Sequence, residues 1–178
     1  MKTAQARRAV PASQIVVRCE VDECPDYSYL GEYTDEWPDG ADLRRGSAFR
    51  QASVGYRELR FFVPAISVQE HRAGLSSLGY SKGHAEELAR EYCRQDHQRA
   101  ERAARGDWCQ VGIFAEVSLT DGHGTTRYQS GGLWGVESDA GDYLRTVAAE
   151  ELADLRHQLQ ADGVAVIEDG GPDMGDLA

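Results

Sequence analysis

Between Gln110 and Leu119 the chain alternates. Val111, Ile113, Ala115, Val117 and Leu119 fall between Gln110, Gly112, Phe114, Glu116 and Ser118, the period of two of a strand with one buried face. Asp121-Gly122-His123-Gly124 then reverses the chain, because Asp and Gly tolerate the positive φ that hairpin loops demand. Thr125–Ser130 returns as the partner strand, and Gly131-Gly132-Leu133-Trp134-Gly135 leads towards a helix start over Glu137–Asp142. Ile15, Val17, Cys19 and Val21 alternate in the same way with Val16, Arg18 and Glu20, so residues 14–21 read as a further strand. Set beside 110–119, it joins its apolar face to theirs in one core wall.

Helical periods appear elsewhere. Ser81 is placed to cap a helix that runs to about Arg105 and stops at Gly106. Its least polar stripe, Ala85, Leu88, Ala89, Tyr92, Cys93, Ala100 and Ala103, is built mostly of small residues and buries little. A second helix over 140–161 carries Leu144, Ala148, Leu152, Leu155 and Leu159 on one face with Val147 beside them. Gly163 follows where a left-handed C-terminal residue belongs. Arg57–Val63 reads as a short strand stopped by Pro64, residues 64–80 are weakly patterned, and Val164–Ile167 can add an edge strand. The expected fold class is α+β: an antiparallel sheet around a central hairpin, with helices packed against it. The expected boundaries are a flexible basic arm over 1–13, a single domain over 14–167 and a disordered acidic tail over 168–178 with nothing to pack.

Charge changes this picture in one respect. The net charge of −11 is concentrated: residues 19–43 hold nine acids and no Lys or Arg, and residues 137–178 hold eleven against Arg145 and Arg156. The remainder is positive. Acidic blocks argue against direct nucleic-acid binding through those parts and favour solubility or a protein partner with a basic surface. The first block overlaps a long loop, residues 22–47, where Tyr27, Tyr29, Tyr33 and Trp37 are interleaved with Asp26, Glu32, Asp35 and Glu36. A disordered linker is poor in aromatics. Either these rings pin the loop to the domain, or they form an interaction surface, since Tyr and Trp are enriched where proteins bind one another. In the second reading Tyr29, Tyr33, Asp35, Glu36, Trp37 and Asp39 are the protein-binding residues. A weaker variant has carboxylates and rings imitating a nucleic acid. No run of eighteen apolar residues occurs, and the N-terminus lacks the apolar middle of a signal peptide, so no membrane partner and a cytoplasmic location are expected. Cys19, Cys24, Cys93 and Cys109 are then reduced and packed rather than paired.

Candidate chemistry is sparse. Cys19 and Cys24 have no second Cys or His pair at zinc spacing, and a buried Cys19 with a loop Cys24 is the plain reading. Cys93, His97 and Glu101 recur at i, i+4 and i+8, a line that could lower a thiol pKa. However, neighbours on one helix surface seldom converge on a substrate. Gly131, Gly132 and Gly135 do not match a phosphate-loop spacing, and Glu137, Asp139 and Asp142 would repel a phosphate from the helix start. These glycines instead let Trp134 turn inward or let the strand bulge. No GxSxG or HExxH is present, and the five histidines are dispersed. No catalytic residue, metal ligand or cofactor is assigned.

The pieces YLGEYTDEW (29–37), RGDWCQVGIFAEV (105–117), GGLWGVESD (131–139) and YLRTVAAEELADLRHQL (143–159) resemble a family of small acidic, uncharacterised proteins of bacterial plasmids and phages. The similarity spans about 14–160 and is most specific at GGLWGVESD. It implies a mobile-element setting and carries over no catalytic residue. The function expected is that of a non-enzymatic interaction protein which binds a host, defence or DNA-handling protein through an acidic-aromatic surface. The alternative is a small enzyme using clustered carboxylates and histidines, with a divalent metal as an option. Whether such groups gather in a pocket or spread over a surface separates the two.

Overall fold

The computed structural model describes residues 8–36, 38, 40–50, 61–122 and 124–175. In chain order its elements begin with β1 (Ala9–Pro11), a 3-10 turn (Ala12–Gln14), β2 (Val16–Val21), β3 (Gly31–Thr34), α1 (Gly40–Arg45) and β4 (Phe49–Arg50). They continue with β5 (Phe61–Pro64), α2 (Val68–Ser77), α3 (Lys82–Arg105) and β6 (Gln110–Asp121). β7 (Gly124–Gln129), β8 (Leu133–Glu137), α4 (Asp142–Ala161) and β9 (Ala165–Ile167) complete the set. The class is α+β. Where patterning suggests one domain over 14–167, the chain forms two compact units. One joins the segment ending at Pro25 to the segment starting at Cys109, and the other is Asp26–Trp108.

The first unit is organised on β6. On one edge β2 runs antiparallel, from Val16 opposite Glu116 to Val21 opposite Val111. The other edge is shared. β7 pairs with the outer half, from Glu116–Gln129 to Asp121–Gly124, and β8 with the inner half, from Gln110–Glu137 to Ile113–Leu133. β6, the first arm of the hairpin, is the centre of the sheet and β7 lies at its edge; His123 of the turn lies outside the described residues. Ser130 bridges the gap between β7 and β8. Its backbone N–H donates to the Ala115 carbonyl, and its Oγ accepts from the Ala115 N–H, both at 2.9 Å. Both main-chain groups of Ala115 are thus satisfied where the ladder changes partner.

α4 lies on one sheet face. Val147, Ala148, Leu155 and Leu159 meet Val17, Val111, Ile113, Ala115, Val117, Leu119 and Val136, with Leu144 and Leu152 half-buried alongside. The helix packs on β6, β7, β8 and β9, and of the edge strand β2 only Val17, near its start, is buried. Cys19 and Val21, which the alternation places in the wall, are consequently exposed. Leu133–Glu137 is a strand, not the approach to a helix beginning at Glu137. Val136 is drawn into the core beside β6, and the helix starts only at Asp142.

Both termini differ from expectation. β1 pairs in parallel with β9, Ala9 opposite Ala165, and Val10 and Ala12 are fully buried, so residues 9–13 of the supposed arm belong to the fold. The tail also docks. Asp169 accepts from the backbone N–H of Ser13 at 2.9 Å and from its hydroxyl at 2.7 Å. Asp173 accepts from the Val17 N–H at 2.8 Å and donates to the Ile15 carbonyl at 3.0 Å. The outer edge of β2 would otherwise present unpaired main-chain groups, and the tail supplies partners for them. Residues 1–7 and 176–178 lie outside the described residues.

In the second unit β5 is flanked antiparallel by β3 and β4. Of the strand expected over 57–63, residues 57–60 lie outside the described residues. α3 packs on α2, β3 and β5 and has the ends its sequence signals. Ser81 Oγ accepts from the His84 N–H at 3.5 Å, and Gly106 closes the helix at φ 76°. α2 arises from the weakly patterned stretch through a capping box. Glu70 accepts from the Ser67 N–H at 2.9 Å, and Ser67 Oγ accepts from the Glu70 N–H at 3.3 Å. One cluster joins Val68 and Leu75 to Ala85, Ala89 and Cys93. A second joins Leu30, Phe62, Ala100 and Trp108. Among the described residues no helix is long and apolar enough to cross a membrane.

Candidate functional site

The aromatics of the acidic loop divide between two tasks. Tyr27 packs on Trp108 with ring centroids 5.4 Å apart, and Tyr33 meets Phe62 edge-on at 5.2 Å. Those two rings pin the loop to its own unit. Tyr29 is 45% exposed, and Asp35 and Glu36 are exposed beside the end of β3. Trp37 and Asp39 lie outside the described residues.

The Cys93–His97–Glu101 line exists and is turned inward. Burial pushes the Cys93 thiol up to about 11, with Asp96 adding to it, and the thiol donates to the Ile66 carbonyl at 3.4 Å. A thiol held that high is not a nucleophile near neutral pH. His97 lies between two rings, stacked on Phe49 at 4.7 Å and tilted to Phe62 at 5.2 Å. Burial pushes its pKa down against the opposing pull of Glu101, 3.6 Å away. Its Nε2 and the Tyr33 hydroxyl are buried without a hydrogen-bond partner among the described residues. The line belongs to a core.

On the sheet face turned away from α4, Glu116 is held between Arg18 at 3.0 Å and Arg127 at 2.8 Å. Burial works to raise its carboxyl, but the two guanidinium partners outweigh it and hold the group below the usual carboxylate range. Next to Glu116 on that face are Phe114 and then Gly112, where an unusual packing starts. The six-membered ring of Trp134 lies directly on Gly112, so that a Cβ there would come within 2.3 Å of Cε3. Phe114 stacks beside it, with centroids 6.3 Å apart and planes 25° apart. The register shift between Val111 and Ile113 is the bulge that the glycines suggest. Trp134 itself does not turn into the core. The missing Cβ of Gly112 gives it a flat seat on the outer face and leaves it 48% exposed.

Beside Trp134, Leu133, Val136, Glu137, Ala140 and Tyr143 shape a concavity of about 440 Å³. Tyr143 is 52% exposed and Leu133 38%. Glu137 lines it, and the segment around it is acidic in sequence, with Asp139 and Asp142 against Arg145. The main-chain donors of the glycine turn are occupied. Gly132 N–H reaches the Glu151 carboxylate at 2.9 Å and Gly131 N–H reaches Asp154 at 3.5 Å. These carboxylates fill the place a phosphate would take. In the sequence this surface is signalled only by GGLWG and by a glycine inside an otherwise regular strand, not by the acidic-aromatic loop.

Two further concavities among the described residues do not bring carboxylates and histidines together. A concavity of about 400 Å³ beside Tyr33 is lined by Tyr27, Phe62 and alanines of α3, with no acid or imidazole in its wall. Another of about 480 Å³ near α2 contains Glu86, tied to Arg72 at 3.2 Å and Arg90 at 3.0 Å. Among the described residues no three His, Cys, Asp or Glu side chains are grouped so that they could hold a metal ion. The chain matches no family model, no curated protein and no solved structure.

Proposed function

We propose that this chain is a non-enzymatic interaction protein, which docks a basic surface of another protein. The observation that carries the reading is the concavity between β8 and the start of α4, where exposed Trp134, Tyr143 and Leu133 stand beside an acidic segment. Large amphipathic rings in a partly desolvated hollow are the anchors from which protein interfaces draw most of their affinity. Acidic surroundings select a basic partner and speed its approach. Tyr29, Asp35 and Glu36 offer a second acidic-aromatic patch on the other unit. The resemblance to plasmid and phage proteins supports a mobile-element role in the cytoplasm, directed at a host defence or DNA-handling protein.

The test is affinity capture from the host cell followed by binding kinetics on the captured protein. Glu137→Gln, Asp139→Asn and Asp142→Asn together are expected to slow association and flatten its salt dependence, with the chain still folded. The parallel set Asp35→Asn and Glu36→Gln shows whether the loop patch shares the task. Association that is equally fast and equally salt-dependent in both sets would remove charge from the account.

A further inference from the structure

The second unit holds a hollow of opposite character to the acidic surface around Trp134. It is about 480 Å³ in volume, and Arg45 at the end of α1, Ser47, Ser67 and Gln69 at the start of α2, Arg72, and Glu86 of α3 line it. Its charges do not cancel. Glu86 is the one carboxylate of that wall among the described residues, and both its oxygens are engaged. Oε2 accepts from Arg72 Nη1 at 3.2 Å and Oε1 from Arg90 Nη2 at 3.0 Å. Arg72 uses only Nη1 in that bond, and its Nε and Nη2 have no partner among the described residues. Arg45 is exposed and has no ion-pair partner among the described residues. The Glu70 carboxylate is folded back on the Ser67 N–H and hydroxyl, so the helix start already holds its own anion and the hollow rests on the two arginines instead.

Two guanidiniums with free N–H donors in one hollow suit an oxyanion. A phosphate group has oxygens enough to meet both forks at once, whereas the two oxygens of a carboxylate are taken by a single fork. The Ser47 hydroxyl adds a neutral donor. The volume exceeds that of a bare phosphate and falls in the range of small-molecule sites, about 300–1,000 Å³. A long polyanion is opposed by the net charge of −11. We propose that this hollow binds a small phosphate monoester, its phosphate held between the Arg45 and Arg72 guanidiniums. It belongs to the other unit of the chain from the docking surface proposed above, and neither reading depends on the other.

Ribose 5-phosphate, inorganic phosphate and unphosphorylated ribose test this when titrated into the full chain at constant ionic strength, with the Nε–H resonances of Arg45 and Arg72 followed. Ribose 5-phosphate is expected to give saturable shifts at both arginines and to bind tighter than inorganic phosphate, with ribose inactive. Arg45→Gln is expected to weaken it about tenfold or more, as loss of a charge-assisted contact does. Glu86→Gln removes the one negative charge of the wall and is expected to tighten binding, a change opposite in sign to any loss from a loosened fold. Inorganic phosphate binding as tightly as the ester overturns the monoester assignment. Absence of saturable shifts with either phosphate, or undiminished affinity in a folded Arg45→Gln variant, overturns the site itself.

Discussion

At the scale of single residues, Gly112 and His97 show how this chain uses local chemistry. Gly112 is required by close approach, because no side chain fits between β6 and the Trp134 ring. Gly112→Ala is expected to lift the indole off the sheet and to cost about 1–3 kcal/mol of stability, the usual range for overpacking a filled site. A chemical denaturation midpoint checks it, and the Trp134 emission should move with it. His97 is a buried base whose pKa is pushed down from the ordinary 6.5. In that case the unfolded chain binds more protons than the folded one as pH falls below 6.5, so folding stability rises with pH there and is lost on acidification. Denaturant melts at pH 7.5 and pH 5 are expected to show the second unit weakening, and His97→Gln to flatten the difference. A variant as acid-sensitive as the parent would place the responsible proton elsewhere.

At the scale of elements, what could be read from the sequence depended on how local the determining contact is. The ends of α3 are written in Ser81 and Gly106, and the stripe of α4 in Leu144, Val147, Ala148, Leu155 and Leu159, all within a few turns of the residues they order. The β6–β7 hairpin is likewise local. α2 was not legible from periodicity because Val68 and Leu75 are its only buried residues, although Ser67 and Glu70 mark its start. β1 and the tail were missed because their partners are remote in the chain: Ala9 meets Ala165, and Val17 meets Asp173. The glycines around Trp134 were visible, but the direction of the ring is decided by a register shift in β6 that no local pattern announces. Two consequences are measurable. Ile113→Ala or Leu155→Ala, both fully buried, is expected to cost about 2–5 kcal/mol, the range for aliphatic truncation in a core. Removal of residues 168–178 is expected to lower the melting temperature, since it strips the hydrogen bonds that Asp169 and Asp173 make to Ser13, Ile15 and Val17. An unchanged midpoint would mean that the docked tail contributes nothing to folding.

At the scale of the whole molecule, charge is divided unevenly between the two units. The unit built on β6 carries 16 acids against 7 Lys and Arg, while Asp26–Trp108 carries 14 against 12. The acid surplus therefore resides with Trp134 and Tyr143, and this coincidence of net charge with open aromatic surface supports a docking role over a catalytic one. The carboxylates that touch the glycine turn, Glu151 and Asp154, serve structure, and those grouped with histidine serve a core. The most direct measurement is the dissociation rate of the captured partner from wild type and from Trp134→Ala, with melting temperatures recorded alongside. An anchor residue is worth about 2 kcal/mol or more, so release is expected to be roughly 30-fold faster or more with the chain still folded, although loss of the ring's packing on Gly112 and Phe114 lowers the melting temperature. A dissociation rate equal to that of the wild type, with the fold intact, would contradict the claim that this surface holds the partner.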